Sequence, residues 1–216
     1  MTDFLEKIVL NNPYDKYDTF DEAIEKIISI VTQIMKYWKN VRGWAPDEAA
    51  ELLGKSMLDL QISLSESLRH WTGELTPGDL TLAWANLGAL VEGQLKLFLS
   101  VYYLDYLKDE KSIKKIRKEN NQIVVEVVSP DKAKFEDIRI FFRDNIWRPE
   151  EKWDSWILMI QQKRNNIHAF KYRNDLGVTE DYVKSIFILL QFIQSINDRL
   201  PYHDDQFKPY PFIEVK

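Results

Sequence analysis

The chain has 216 residues, of which 45% are hydrophobic and 13% aromatic, a composition that suits a continuous core and excludes a mainly disordered chain. It contains no cysteine, which excludes disulfides, thiolate metal sites and cysteine nucleophiles and suits a reducing compartment. Its net charge of −5 argues against a protein that coats DNA by neutralising phosphates. No apolar run reaches the roughly 18 residues that span a bilayer, and no signal-peptide pattern opens the chain. We therefore expect a cytoplasmic protein without a membrane segment.

Apolar residues recur every three or four positions through the first half of the chain, which is the spacing of amphipathic helices. The first predicted helix runs from about Phe20 to Lys39, behind a cap at Thr19. A second covers about 46–71, and a third about 77–106 behind Thr76. Small residues on the third helix predict the close approach of another helix. They are Ala83, Ala85, Gly88, Ala89 and Gly93.

The composition changes between residues 108 and 129. Residues 108–118 carry charges of both signs, and residues 122–128 are rich in β-branched side chains, which favour extended structure. We predict a short extended stretch or a hairpin there, with any strand confined to about 121–129.

Three helices are predicted in the second half of the chain. Ser129 should cap the fourth, which ends near 146, and the fifth and sixth cover about 150–170 and 180–199. Trp153 and Trp156 could stack on bases, but their helical spacing favours a place in the core. The fold class is therefore all-α, a bundle of five or six main helices in one domain that comprises residues 1–216.

The segment Arg164-Asn165-Asn166-Ile167-His168 closes the fifth predicted helix. Residues four apart on a helix share a face, so Arg164 and His168 should project together. Histidine can accept the proton of a ribose 2′-hydroxyl or donate one to a leaving oxygen, and arginine offers a planar fork of donors to phosphate. These residue types fit RNA cleavage without a metal. They equally fit a solvated helix end, which is the commoner use of such a pair.

Positive charge is concentrated around this segment. Lys163, Arg164, Lys171 and Arg173 lie within eleven residues that contain no acid. We interpret Lys163, Lys171 and Arg173 as candidate substrate-binding residues for RNA. The alternative is that these cations complement the dipole at the end of a helix.

The string from Arg164 to Phe170, late in an all-helical chain, resembles the signature of the HEPN superfamily, in which Arg is followed by a polar residue, often Asn, and then by His. Residues 86–96, Asn-Leu-Gly-Ala-Leu-Val-Glu-Gly-Gln-Leu-Lys, resemble an uncharacterised bacterial branch of it. The resemblance implies a HEPN-like helical bundle that forms a homodimer, with two motif copies facing each other across a cleft. In active members it implies a metal-independent endoribonuclease of defence or toxin type.

Carried over by position, Arg164 would hold the phosphate, Asn165 would orient the phosphate or the His, and His168 would be the acid or base. The resemblance calls for no metal and no other cofactor, and it raises an antitoxin or a nucleotidyltransferase as a protein partner. Three residues separate Arg164 from His168, which is fewer than is usual in the family. The short interval favours the alternative, a catalytically silent HEPN-like dimeric binding or interaction module.

Two further candidate sites each have a functional interpretation and a simpler structural one. Glu92, four residues before Lys96, is most simply half of a surface ion pair, and the alternative is a buried partner for Arg164. His203-Asp204-Asp205 could bind a cation, but such a loop is more often only polar.

Overall fold

The computed structural model describes residue 5 and residues 19–119, 122–148, 150–167 and 177–203. Of these described residues, 69% are helical and 8% lie in strands, so the predicted mainly helical fold is confirmed. None of the described helices combines the length and the apolar character that crossing a membrane requires. The elements are α1 Phe20–Lys39, α2 Asp47–Lys55, α3 Leu58–Glu66, α4 Pro77–Val101, α5 Tyr103–Lys108, β1 Lys114–Glu119, β2 Gln122–Val127, α6 Phe135–Asn145, α7 Trp153–Arg164 and α8 Thr179–Asp198.

The predicted beginnings of α1 and α4 are confirmed by their caps. The Thr19 hydroxyl accepts a hydrogen bond from the backbone N–H of Glu22 at 3.3 Å. At α4 the Thr76 hydroxyl accepts from the Asp79 N–H, and the Asp79 carboxylate accepts from the Thr76 N–H, both at 3.2 Å. Each cap satisfies backbone donors that a helix leaves unpaired.

The prediction of one continuous second helix is wrong. The backbone is extended at Ser56 (φ −74°, ψ 147°), and the Ser56 hydroxyl donates to the carbonyl of Leu52 at 2.8 Å. The chain then resumes as α3 and ends in a 3₁₀ turn, Ser67–His70. Because the helical register is lost at this break, Met57 is 72% exposed.

Two predictions around the hairpin are also wrong. Strand β1 lies before the predicted range of 121–129 and pairs antiparallel with β2. Ser129 does not cap a helix, because residues 129–133 form a turn in which its carbonyl accepts from the N–H groups of Lys132 and Ala133 at 3.0 Å. Helix α6 begins only at Phe135.

Helix α4 packs against both α7 and α8. Trp84 of α4 meets Tyr182 of α8 edge to face at 5.4 Å, and Trp156 of α7 lies 5.5 Å from Phe192 of α8. Trp153 and Trp156 are both buried, so the prediction that they pack in the core is confirmed. This packing fixes the position of α7 in the bundle.

Arg139 joins α6 to α7. Its side chain is buried, its Nη2 and Nε donate to the Glu136 carboxylate at 2.8 and 3.0 Å, and its Nη1 donates to Asp154 of α7. The hydrogen bonds from Arg139 lower the pKa of Glu136 from its ordinary value of 4.5. Arg139 therefore links Glu136 of its own helix to Asp154 of α7.

The lowered pKa of Glu136 predicts that the stability of the fold depends on pH. A carboxyl whose pKa is lowered by folding stabilises the folded state fully above its unfolded pKa, and that contribution is lost as the pH falls through the folded pKa. We expect the free energy of unfolding to fall below about pH 4.5, and to fall less steeply in Glu136→Gln. Urea titrations across this range test it, with Glu74→Gln, an exposed loop carboxylate, as the control. Equal acid sensitivity of wild type and Glu136→Gln would contradict the prediction.

Candidate functional site

Arg164 is the last residue of α7, and its side chain packs against α4. A Cβ atom placed on Gly88 would lie 2.7 Å from Cδ and 3.1 Å from Cβ of Arg164. A larger residue at this position would require the Arg164 side chain, including its Cβ, to shift. The close helix approach that the small residues of α4 predicted is therefore confirmed at Gly88.

The guanidinium of Arg164 is bound by Glu92 of α4. Arg164 Nη1 donates to Glu92 Oε2, and the other carboxylate oxygen lies 2.9 Å from Lys96 Nζ. The side chains of Arg164, Glu92 and Lys96 are 33%, 17% and 26% exposed. Glu92 thus forms the expected ion pair with Lys96 and is also the partner of Arg164, which was the less favoured interpretation. One carboxylate between two cations leaves the cluster net positive.

Two further contacts connect this cluster to the segment that precedes α6 and to the first residue of α6. Lys96 Nζ also donates to the backbone carbonyl of Asp131 at 3.1 Å. The Arg164 guanidinium lies 5.5 Å from the centre of the Phe135 ring, within the range of a cation–π contact. Glu92, Lys96 and Phe135 therefore position Arg164 from two different elements.

The backbone changes from α-helix to a 3₁₀ turn directly after Arg164. Asn165, the C-cap of α7, begins a 3₁₀ turn, Asn165–Ile167, and its side chain is half-buried. Ile167 is 48% exposed and does not anchor this segment in the core. The prediction extended one α-helix to residue 170, and the spacing of 3.6 residues per turn does not hold through a 3₁₀ turn. His168, Phe170, Lys171 and Arg173 lie outside the described residues.

Lys163, a predicted substrate-binding residue, is 3% exposed. Its Nζ and the Asp181 carboxylate lie 2.8 and 3.0 Å from the position that a Cβ on Gly177 would take. The ammonium group thus has a carboxylate in its neighbourhood at the beginning of α8. Its contact with a substrate stays a prediction.

The described residues contain no group of three or more His, Cys, Asp and Glu that could hold a metal ion. Of the loop that was weighed as a cation site, His203 is described and exposed, and Asp204 and Asp205 lie outside the described residues. Comparison with models of protein families, with curated proteins and with solved structures finds no match for this chain.

Sequence reasoning did not find the roles of Lys96 and Phe135 beside Arg164. The available signal was Glu92, a charged residue on a largely buried helix with Lys96 four positions later. Phe135 carried no signal of its own, because an aromatic residue at the beginning of an amphipathic helix is ordinary core composition.

Proposed function

We propose that this chain is a HEPN-like, metal-independent endoribonuclease that uses Arg164, Asn165 and His168 on RNA. The observation that supports it best is the state of Arg164, whose guanidinium is bound by Glu92 and whose side chain as a whole is one-third exposed. Asn165 follows it directly, and His168 comes one residue after the 3₁₀ turn in the sequence. A guanidinium held by a carboxylate, with a potential proton carrier four residues later in the sequence, offers the groups that cleavage of a phosphodiester needs.

The chemistry follows from these residue types. A base removes the proton of the 2′-hydroxyl, the 2′-oxygen bonds to phosphorus, and the 5′-oxygen leaves with a proton from an acid. Arg164 stabilises the negative charge that accumulates on the phosphate oxygens. The attacking and leaving oxygens lie on opposite sides of phosphorus, so two histidines serve this step better than one. A two-fold homodimer that brings two copies of His168 together would supply both.

The experiment is RNA cleavage by purified wild-type protein in the presence of a chelator. We expect single-stranded RNA to be cut to products with 2′,3′-cyclic phosphate ends, and a 2′-deoxy nucleotide at the cut site to block the reaction. A dimer by light scattering at micromolar concentration is expected as well. Absence of cleavage across varied RNA sequences would refute the proposed activity, and a monomer would refute the two-copy site.

A second candidate, the silent dimeric binding or interaction module, has one structural observation in its favour. The α-helix ends at Arg164 and a 3₁₀ turn follows, in addition to the short interval to His168. In that case the bond between Arg164 and Glu92 is a packing element between α7 and α4. Binding of RNA, or of a partner such as an antitoxin or nucleotidyltransferase, without cleavage would distinguish it from the ribonuclease.

A further inference from the structure

A cleft of about 800 Å³ lies between the β-hairpin and the segment that precedes α6. Two carboxylates, Glu126 and Asp137, are among its lining residues. The cations that line it outnumber them, although the chain as a whole has a net charge of −5. These cations are Lys114, Lys115, Arg117, Lys132 and Lys134.

The charge of the cleft is accessible. Lys115, Lys132 and Lys134 are exposed, so their ammonium groups can meet a ligand without a change of fold. Arg117 Nη2 lies 3.1 Å from Glu126 Oε2, which neutralises one of the two carboxylates. The net field in the cleft is therefore positive, and it favours a polyanion.

The chain segment 131–135 contributes residues both to the cleft and to the surroundings of Arg164. Lys96 contacts the Asp131 carbonyl, and Arg164 lies over Phe135. Lys132 and Lys134, in the same five-residue stretch, line the cleft.

Apolar side chains lie among the charged residues that line the cleft. Tyr103 lines the cleft beside Val127, and Ile116 of β1 is 70% exposed. Cations that follow a backbone, together with an aromatic ring and exposed aliphatic groups for unpaired bases, are the features of single-strand binding surfaces. A folded duplex presents no free base faces to such groups.

We infer that this cleft binds the sugar-phosphate backbone of single-stranded RNA. The inference rests on the proposed function for its choice of RNA as the ligand. Lys132 and Lys134, on the segment that precedes α6, make phosphate contacts, and the hairpin forms the opposite wall of the cleft.

The test is the binding of a fluorescein-labelled, single-stranded 2′-O-methyl RNA oligonucleotide, which lacks the 2′-hydroxyl and cannot be cleaved, measured by anisotropy. The double variant Lys132→Glu/Lys134→Glu should raise Kd about tenfold or more, and should reduce the slope of log K against log salt by about 0.7 for each lost phosphate contact. Lys134 is the N-cap residue of α6 and its side chain makes no capping bond. A glutamate there suits the helix dipole, so folding should be retained.

The matched control is Lys36→Glu/Lys152→Glu, which reverses two exposed lysines outside the cleft and changes the net charge equally. We expect it to weaken binding much less. Equal weakening by both double variants, no binding by wild type, or equal binding of a duplex of the same sequence would overturn the inference. Competition by polyglutamate as effective as that by unlabelled oligonucleotide would also overturn it, in favour of an acidic protein ligand.

Cleavage of ordinary RNA is scored separately on the same variants. Cleft-dependent binding without cleavage by wild type would remove the proposed activity and leave the inference standing. Cleavage by wild type, together with RNA binding that is unchanged in Lys132→Glu/Lys134→Glu, would support the proposed activity and overturn the inference.

Discussion

Replacement of His168 by alanine is expected to lower the rate of RNA cleavage by about 100-fold or more, because general acid–base catalysis contributes factors of this size. The measurement is single-turnover cleavage of a labelled RNA by wild type and variant. Helix content and the melting temperature, measured by circular dichroism on both, should stay nearly unchanged. Unaltered cleavage by His168→Ala would show that the activity comes from other residues or from a contaminant.

Arg164→Lys is the companion variant. Lysine keeps the charge but cannot reproduce the planar fork that meets phosphate oxygens, so cleavage should again be impaired. Arg143→Lys serves as its control, because Arg143 is an exposed arginine of α6 that pairs with the adjacent Asp144. Equal effects of the two arginine variants would argue against a specific role for Arg164.

Trp156→Ala is expected to lower the free energy of unfolding by about 3–5 kcal/mol. The Trp156 side chain is fully buried and packs against both Trp153 and Phe192, so its removal leaves a cavity between α7 and α8. Urea denaturation measures the loss. Trp44→Ala removes an indole that is 40% exposed and should cost less.

Trp156→Ala also distinguishes a tryptophan that packs in the core from one that stacks on bases. Loss of RNA binding by Trp156→Ala with unchanged stability would mean that the ring stacks on bases, against its buried position. Loss of stability alone is the result that core packing requires.

The sequence predicted best those elements whose own side chains specify them. Helix α1 has a long apolar stripe and a threonine cap, and both of its predicted ends agree with the structure. Strand β1 could not be predicted in this way, because five of its six residues are charged and Ile116 alone is apolar. Its extended form depends on pairing with β2, which is a contact between segments and not a local preference.

In the candidate site, too, local sequence predicted some features, while others depend on contacts between distant segments. The motif drew attention to Arg164, but its bond to Glu92 crosses 72 positions in the sequence. The sequence also offered Lys96 as a partner for that carboxylate, and nothing local could reveal that Glu92 binds both. The early end of α7 was equally hidden, because Asn165 and Asn166 tolerate helical and turn conformations alike.

The packing of Arg164 on Gly88 has a thermodynamic consequence for any anion that Arg164 binds. A freely rotating arginine side chain loses about 2 kcal/mol of conformational entropy when a ligand fixes it. Here the contact with Gly88 and the bond to Glu92 already restrict the side chain when the protein folds. If Arg164 binds a phosphate as proposed, that phosphate meets a preorganised guanidinium, and we expect a lower entropic cost of binding.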